Sequence, residues 1–254
     1  MVIGIILAAG KGTRIKAKTA NKVTLPFLNK PLILYSVELM EKVADKTFVV
    51  IGAFHKSVKK VLKEKKVFYA YQKKRLGTGH AVKVAVEEVV KKKLEPKIVL
   101  VGYGDHTMFY KKKEIKKLIT LHQKKKAVMS IITTESENNE KLHWGYVLRD
   151  ENDKIIDSVE YKDATDEVKK NVKELNAGFY CFDFNFLINN LKKIPKSKVT
   201  GEYYINSLIK IASYQSLDVI GLKVPFSSVG IGVNTWSELD ESQKIYLAVK
   251  NNEI

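Results

Sequence analysis

Residues 2–7 (VIGIIL) are apolar without a break, and 47–51 (TFVVI) and 98–102 (IVLVG) are nearly so. A strand with one wet face alternates apolar and polar positions, so unbroken runs predict strands covered on both faces. Between them the period changes. The segment opening at Pro31 (PLILYSVELMEKV) and those at 55–64 and 78–93 repeat their apolar positions at helical spacing. Pro31 suits a first helical turn, where its missing N–H would have no partner anyway. A further short β-like run lies at 67–71. Strands alternating with helices of about 10–15 residues predict βαβ units. The expected fold is therefore α/β, a Rossmann-like, mainly parallel sheet with helices on both faces. Such sheets bind ligands at the carboxyl ends of their strands, which assigns the chemistry to the loops there.

The second half has a different texture. Runs at 127–134 (AVMSIITT), 144–149 (WGYVLR), 154–160 (KIIDSVE) and 174–183 (ELNAGFYCFD) read as strands with few helices between them. Asn152-Asp153 suits a hairpin turn. Helical periodicity returns at 184–193, 203–213 and 236–249, with no linker-like or repetitive tract between the halves. One domain over 1–254 is expected: a first half over about 1–134, a β-rich lobe over about 135–235 closing one side of the site, and a C-terminal helix over 236–254.

Composition narrows this picture. With 45% hydrophobic residues in 254, the chain can bury a sizeable core, which argues against disorder. A lone Cys181, within the apolar run FYCF, excludes an internal disulfide and reads as a small core residue. No basic region precedes the first apolar run and none is long enough for a membrane span. A cytoplasmic protein without a membrane partner is the expectation. Lys and Arg number 45 against 28 Asp and Glu, giving a formal charge of +17 that invites a nucleic-acid reading. Only Arg14, Arg75 and Arg149 are arginines, however, whereas nucleic-acid readers favour the bidentate guanidinium. The lysines cluster in runs such as 91–93, 111–113 and 124–126, near the ends of expected helices. A solvated lysine surface with no nucleic-acid partner is the simpler reading.

Three motifs carry candidate chemistry. Leu7-Ala8-Ala9-Gly10-Lys11-Gly12-Thr13-Arg14 follows the first strand; small residues let a backbone approach phosphate, and successive N–H groups can form an anion cradle. It matches neither the Walker A loop nor the dinucleotide fingerprint. Lys11, Arg14 and Lys22 add cations suited to a polyphosphate, or equally to solvated surface. In Gln72…Leu76-Gly77-Thr78-Gly79-His80, an amide can read a base edge and Thr78 can cap the following helix; His80 reads as structural. Gly102-Tyr103-Gly104-Asp105 ends a buried strand in a carboxylate, where Mg²⁺ on phosphates or a helix cap would each fit.

LAAGKGTR, QxxxLGTGHAV, YGD, VEYKDATDE, the strand around Asn176, TGEYYIN and GVN occur in this order. Together they resemble the sugar-1-phosphate nucleotidylyltransferases, most closely the uridylyltransferase domains acting on N-acetylglucosamine-1-phosphate, over about residues 3–245. The resemblance implies a Mg²⁺-dependent, in-line attack of the sugar phosphate on the α-phosphate of UTP. It implies that Leu7 to Thr13 wrap the nucleotide, that Arg14 and Lys22 are catalytic, and that Gln72, Gly77 and Thr78 lie on the nucleoside side. It places Tyr103, Gly104, Gly145, Glu160 and Asn176 around the sugar, and Asp105 and Asn234 on the metal. Asn21 stands where the family usually has proline. His106-Thr107 replaces an apolar residue and proline, Tyr146 a common Arg, and Ala177 a frequent Thr. These departures touch the sugar side more than the nucleotide side. No β-helix of hexapeptide repeats follows in this sequence, so no acetyltransferase activity is expected of it. The alternatives are a uridylyl- or thymidylyltransferase acting on glucose-1-phosphate, and a non-catalytic module binding sugar nucleotides or nucleic acid.

Overall fold

The computed structural model describes residues 1–15, 19–136 and 139–251. The unbroken apolar runs form the centre of a sheet. β1 (Val2–Ala8) pairs in parallel with β4 (Lys46–Ile51) on one side and β6 (Ile98–Tyr103) on the other, and β5 (Phe68–Tyr71) extends it beyond β4. A two-stranded hairpin of β2 (Pro26–Phe27) and β3 (Lys30–Pro31) leads into α1 (Leu32–Glu41). Pro31 caps that helix rather than opening its first turn, one position earlier than expected. α2 (His55–Val61), α3 (Thr78–Lys91) and α4 (Lys112–Lys124) complete the first half.

The period-2 geometry of strands explains why no polar face was visible. Ile3, Ile5 and Leu7 join one cluster with α3, whereas Ile6 and Ala8 join the opposite cluster with α1, α2 and α4. Both faces are dry, so both need apolar side chains. The lysine runs fall at helix ends: Lys91 closes α3, Lys112 and Lys113 open α4, and Lys124 closes it.

The second half extends the same sheet through β7 (Met129–Glu135), β8 (Gly145–Arg149), β9 (Ile155–Val159), β10 (Glu174–Asp183) and β11 (Val219–Lys223), with the short α5 (Asn139–Leu142) and α6 (Asp166–Asn171) between them. Among the described residues the main path runs β11-β7-β10-β6-β1-β4-β5, with β8 on β10 and β9 on β8. β10 runs antiparallel to both β6 and β7. The strand β11, whose short VIGLK run is bounded by polar residues, was not anticipated. α7 (Phe184–Asn190) and α8 (Ser207–Tyr214) back this half; α8 starts later than the periodicity at 203–213 suggested, because 203–206 run as an irregular strap. α9 (Trp236–Asn251) matches the expected C-terminal helix as far as Asn251; residues 252–254 of that expectation lie outside the described residues. Tyr246 of α9 stands edge-on to Phe27, Tyr35 and Phe109, which seats the helix on the first half of the chain. Among the described residues no helix is long and apolar enough to cross a membrane.

Candidate active site

The Gly-rich loop leaves β1 at its carboxyl end, and its carbonyls are claimed by the protein. Asn21, fully buried, directs its Nδ2 at the carbonyls of Ala8, Gly10 and Ala53 at 3.0, 3.0 and 2.8 Å. Leu7 O accepts from Gly104 N, and Ala9 O from Ala53 N. Gly12 sits at φ 67°, a region that favours glycine. Carbonyl dipoles turned into the protein suit a loop that must face an anion. Lys11, Thr13 and Arg14 are exposed on its outer side.

Two distant segments then converge on Lys22. Its ammonium contacts the Asp105 carboxylate, Asn234 Oδ1 at 2.8 Å and Val233 O at 3.0 Å. Arg14 Nη2 donates to the same Asn234 oxygen at 2.8 Å. Asp105 follows β6, and its carbonyl accepts from Val233 N, which pins the strand end to the Ile231–Asn234 segment. Asn234 is held by a capping box: Glu238 Oε2 accepts from the N–H groups of Asn234 and Thr235, while Thr235 Oγ1 accepts from Glu238 N. That Thr-x-x-Glu pattern stood in the sequence as a positional signal for Asn234 and was missed.

Gln72 is buried just after β5 and donates through Nε2 to Gly77 O at 3.1 Å and His80 Nδ1 at 2.9 Å. Both amide hydrogens are thereby used, and the carbonyl oxygen is the group it can still offer. Burial, with Lys83 nearby, lowers the His80 pKa, in keeping with a neutral ring accepting from Gln72. Gly77 has φ 99°, and a Cβ there would stand 2.5 Å from Tyr203 O, so glycine is required. Thr78 does not cap its own helix: its Oγ1 accepts from Ile205 N at 3.0 Å, and Gly77 is the capping residue. Thr78 instead ties the 203–206 strap across the site. Arg75 is exposed on the intervening loop.

A cavity of about 230 Å³ opens beside Asp105, lined by Tyr103, Gly145, Glu160, Asn176 and Asn234 with Thr78 at its rim. Gly104 does not line it; that glycine packs beneath, where a Cβ would meet Val23 and Ile33 at 3.1 and 3.2 Å. Asn176 is engaged at both ends, donating to Ser158 Oγ and accepting from Gly178 N, and so braces a bulge in β10. Gly145 is packed against Ser158 Oγ and the buried Asn206. Burial, and then the carboxylates of Asp163 and Glu202, push the Glu160 carboxyl up to about 7, with a hydrogen bond from Asn206 pulling the other way. Burial raises the Tyr103 phenol, which hydrogen-bonds Tyr180 and Thr78. Sequence reasoning did not single out Ser158, a polar residue inside a strand run, and gave Asn206 no role beyond closing the TGEYYIN motif. Cys181 is buried in the core, with its thiol pKa raised by burial.

The donor set can be tested against a divalent cation. A carboxylate and an amide oxygen already converge on one cation, the Lys22 ammonium, and both are the hard oxygen ligands that Mg²⁺ takes. Among the described residues no group of three or more His, Cys, Asp or Glu is clustered for a metal. A site with one carboxylate suits an ion that shares its coordination with water and substrate phosphates. A larger cavity of about 530 Å³ lies elsewhere, beside Arg149, Asp150 and Asp218, and holds none of the residues above. Its Arg149 is bound bidentately by Glu174 at 2.7 and 2.9 Å.

Comparison with known proteins gives the following. The profile of the family described as nucleotidyl transferase matches residues 3–222. A bifunctional protein GlmU from Caldicellulosiruptor saccharolyticus is 37% identical over 237 residues, covering 92% of this chain and 50% of that protein. The GlmU of Bacillus licheniformis is 34% identical over 249 residues, covering 98% of this chain and 52% of its own length. The chain thus spans about half the length of these curated relatives. A UDP-glucose pyrophosphorylase solved with UDP-glucose superposes with a TM-score of 0.75 at 20% identity, over 97% of this chain and 98% of that one. A putative glucose-1-phosphate thymidylyltransferase from Bacillus anthracis gives 0.74 at 19%, over 96% and 95%.

Proposed function

The chain belongs to the nucleotidyl transferase family, and from that premise we propose that it makes UDP-N-acetylglucosamine and pyrophosphate from UTP and N-acetylglucosamine-1-phosphate. The observation that carries this reading is the convergence of Arg14, Lys22, Asp105 and Asn234, from widely separated segments, beside a polar cavity. In the reaction a phosphate oxygen of the sugar-1-phosphate forms a bond to the α-phosphorus of UTP, and the bond to the β-phosphate oxygen breaks. No protein nucleophile is needed, because in-line transfer asks chiefly for alignment and charge neutralisation.

The loop from Leu7 to Thr13 cradles the triphosphate with its N–H groups, its carbonyls being held back by Asn21 and Ala53. Arg14 and Lys22 offset the charge that grows on the departing pyrophosphate. Asp105 and Asn234 are the residues that would hold Mg²⁺, whose contribution when bound is to neutralise the phosphate oxygens. The open Gln72 oxygen is an acceptor, which fits the N3–H of uracil and equally that of thymine. Tyr103, Gly145, Glu160 and Asn176 face the hexose, with the Glu160 carboxyl accepting from its hydroxyls. The alternative acceptor is glucose-1-phosphate.

The test is pyrophosphate release over a matrix of UTP, dTTP and other triphosphates against glucosamine-, N-acetylglucosamine- and glucose-1-phosphates. Turnover greatest with UTP and N-acetylglucosamine-1-phosphate supports the reading. No turnover in any combination overturns it, and a preference for glucose-1-phosphate moves the assignment to the alternative.

A further inference from the structure

His80 reads as structural in its motif, yet its ring touches the side chain assigned to the nucleobase. Gln72 Nε2 lies 3.1 Å from Gly77 O and 2.9 Å from His80 Nδ1. A carbonyl only accepts, so the atom beside Gly77 O is the amide nitrogen. Turned about, the amide would set its oxygen against that carbonyl. A nitrogen that donates to His80 requires a lone pair on Nδ1, and the neutral ring then carries its proton on Nε2. Geometry thus fixes both the orientation of the amide and the tautomer of the ring. The frame around them is fixed as well. Gln72 N donates to Ile51 O at 2.8 Å, and Gly77 O also accepts from Ala81 N at 3.1 Å. Tyr203 of the strap holds the turn between Gln72 and His80 twice: its N donates to Leu76 O and its O accepts from Gly79 N, each at 2.8 Å. Gln72 is buried, so an amide hydrogen deprived of its acceptor would be costly to leave there.

From this geometry we propose that His80 is a positioning residue for nucleobase choice: by accepting from Gln72 Nε2 it keeps the Gln72 oxygen turned to the base, an inference that rests on the nucleotidyl transfer proposed above. Uracil and thymine carry an N–H at N3, which that oxygen can accept. Cytosine carries a lone pair at the same position, and an amide oxygen facing it is a repulsive pairing. An amide turned the other way would offer its NH2 instead and would favour cytosine. Two acceptors, Gly77 O and His80 Nδ1, oppose that turn. The first is backbone and stays whatever residue stands at position 77. The second is supplied by a side chain, so the strength of the bias is set at His80. His80 acts through Gln72 and needs no contact of its own with the nucleotide.

Calorimetric titration of UTP and CTP, each with Mg²⁺, into the wild type, His80→Phe and His80→Asn tests this, with thermal melting to show that each variant folds. Phenylalanine keeps a ring without an acceptor. Asparagine returns one, because its Oδ1 branches from Cγ as Nδ1 does. The wild type should prefer UTP. His80→Phe should narrow the preference for UTP over CTP on the order of tenfold, as expected for one lost hydrogen bond in a buried site, and His80→Asn should restore most of it. In a Gln72→Ala background His80→Phe should leave the preference unchanged, since the effect passes through the amide. Equal losses for UTP and CTP would mark a merely structural histidine and overturn the proposal. So would an unchanged preference in His80→Phe, the same narrowing with Gln72 already replaced, or a wild type without a preference for UTP. Failure of the transfer reading shows separately, as absence of turnover in the substrate matrix, while base preference in binding still reports on His80.

Discussion

Glu160 makes stability depend on pH in a direction opposite to that of an ordinary surface carboxylate. Burial and the neighbouring Asp163 and Glu202 raise its pKa from 4.5 to about 7 in the folded chain. Below 4.5 the group is protonated in both states and contributes no difference. As pH rises from there, the unfolded chain releases the proton while the folded chain retains it, so stability is lost until the folded group also ionises near 7. At about 1.36 kcal/mol per pH unit, the full loss is about 3 kcal/mol above pH 8. Glu160→Gln keeps the shape and an acceptor oxygen for Asn206 but cannot ionise. Urea unfolding of both proteins from pH 4.5 to 9 should give nearly equal free energies at the acid end. The variant should gain progressively, becoming about 3 kcal/mol more stable than the wild type at pH 8. Asp163→Asn should narrow the gap, because one of the carboxylates that opposes ionisation is gone. Parallel pH profiles for the wild type and Glu160→Gln would refute the reasoning, since Glu160 would then titrate alike in both states.

Arg14→Ala should lower kcat on the order of 100-fold in steady-state kinetics, as for a lost charge stabiliser of the transition state; a change in KM alone would make Arg14 a simple binding residue. Asp105→Asn should abolish Mg²⁺-dependent turnover while the urea midpoint stays near that of the wild type, and near-normal turnover would remove Asp105 from the metal site. Arg149→Ala leaves the largely buried Glu174 carboxylate without its bidentate partner. It should cost about 3 kcal/mol in urea unfolding with kcat little changed, and an unaltered midpoint would show that the pair contributes little.

Much of the site was legible because its motifs follow strands whose apolar runs were themselves legible. Leu7 to Arg14, Gln72 and Asp105 all lie at or just after carboxyl ends of parallel strands, where the βαβ pattern placed them. What could not be read were roles that depend on partners far along the chain. Thr78 looked like a cap because a threonine at a helix start usually is one; its partner, Ile205, is 127 residues away. Gly104 sits within a binding motif yet serves close packing, which is visible only once Val23 and Ile33 are beside it. Asn21 looked like a lapse from the usual proline, and in the fold it holds three carbonyls of the Gly-rich loop and its neighbour.

The sequence by itself determined the layered α/β architecture, since strands dry on both faces and helices at 3.6-residue spacing leave few other ways to bury the chain. It also determined which residue types were available for phosphate and metal chemistry. Only the tertiary structure decided how those residues meet. Arg14 and Asn234 are 220 residues apart and share one hydrogen bond because α9 packs back onto Phe27, Tyr35 and Phe109. The raised pKa of Glu160 likewise follows from burial and from the carboxylates of Asp163 and Glu202 in the loops beside it. Local patterns encode which element forms. The electrostatics of a cleft depend on distances that exist only after the elements have docked.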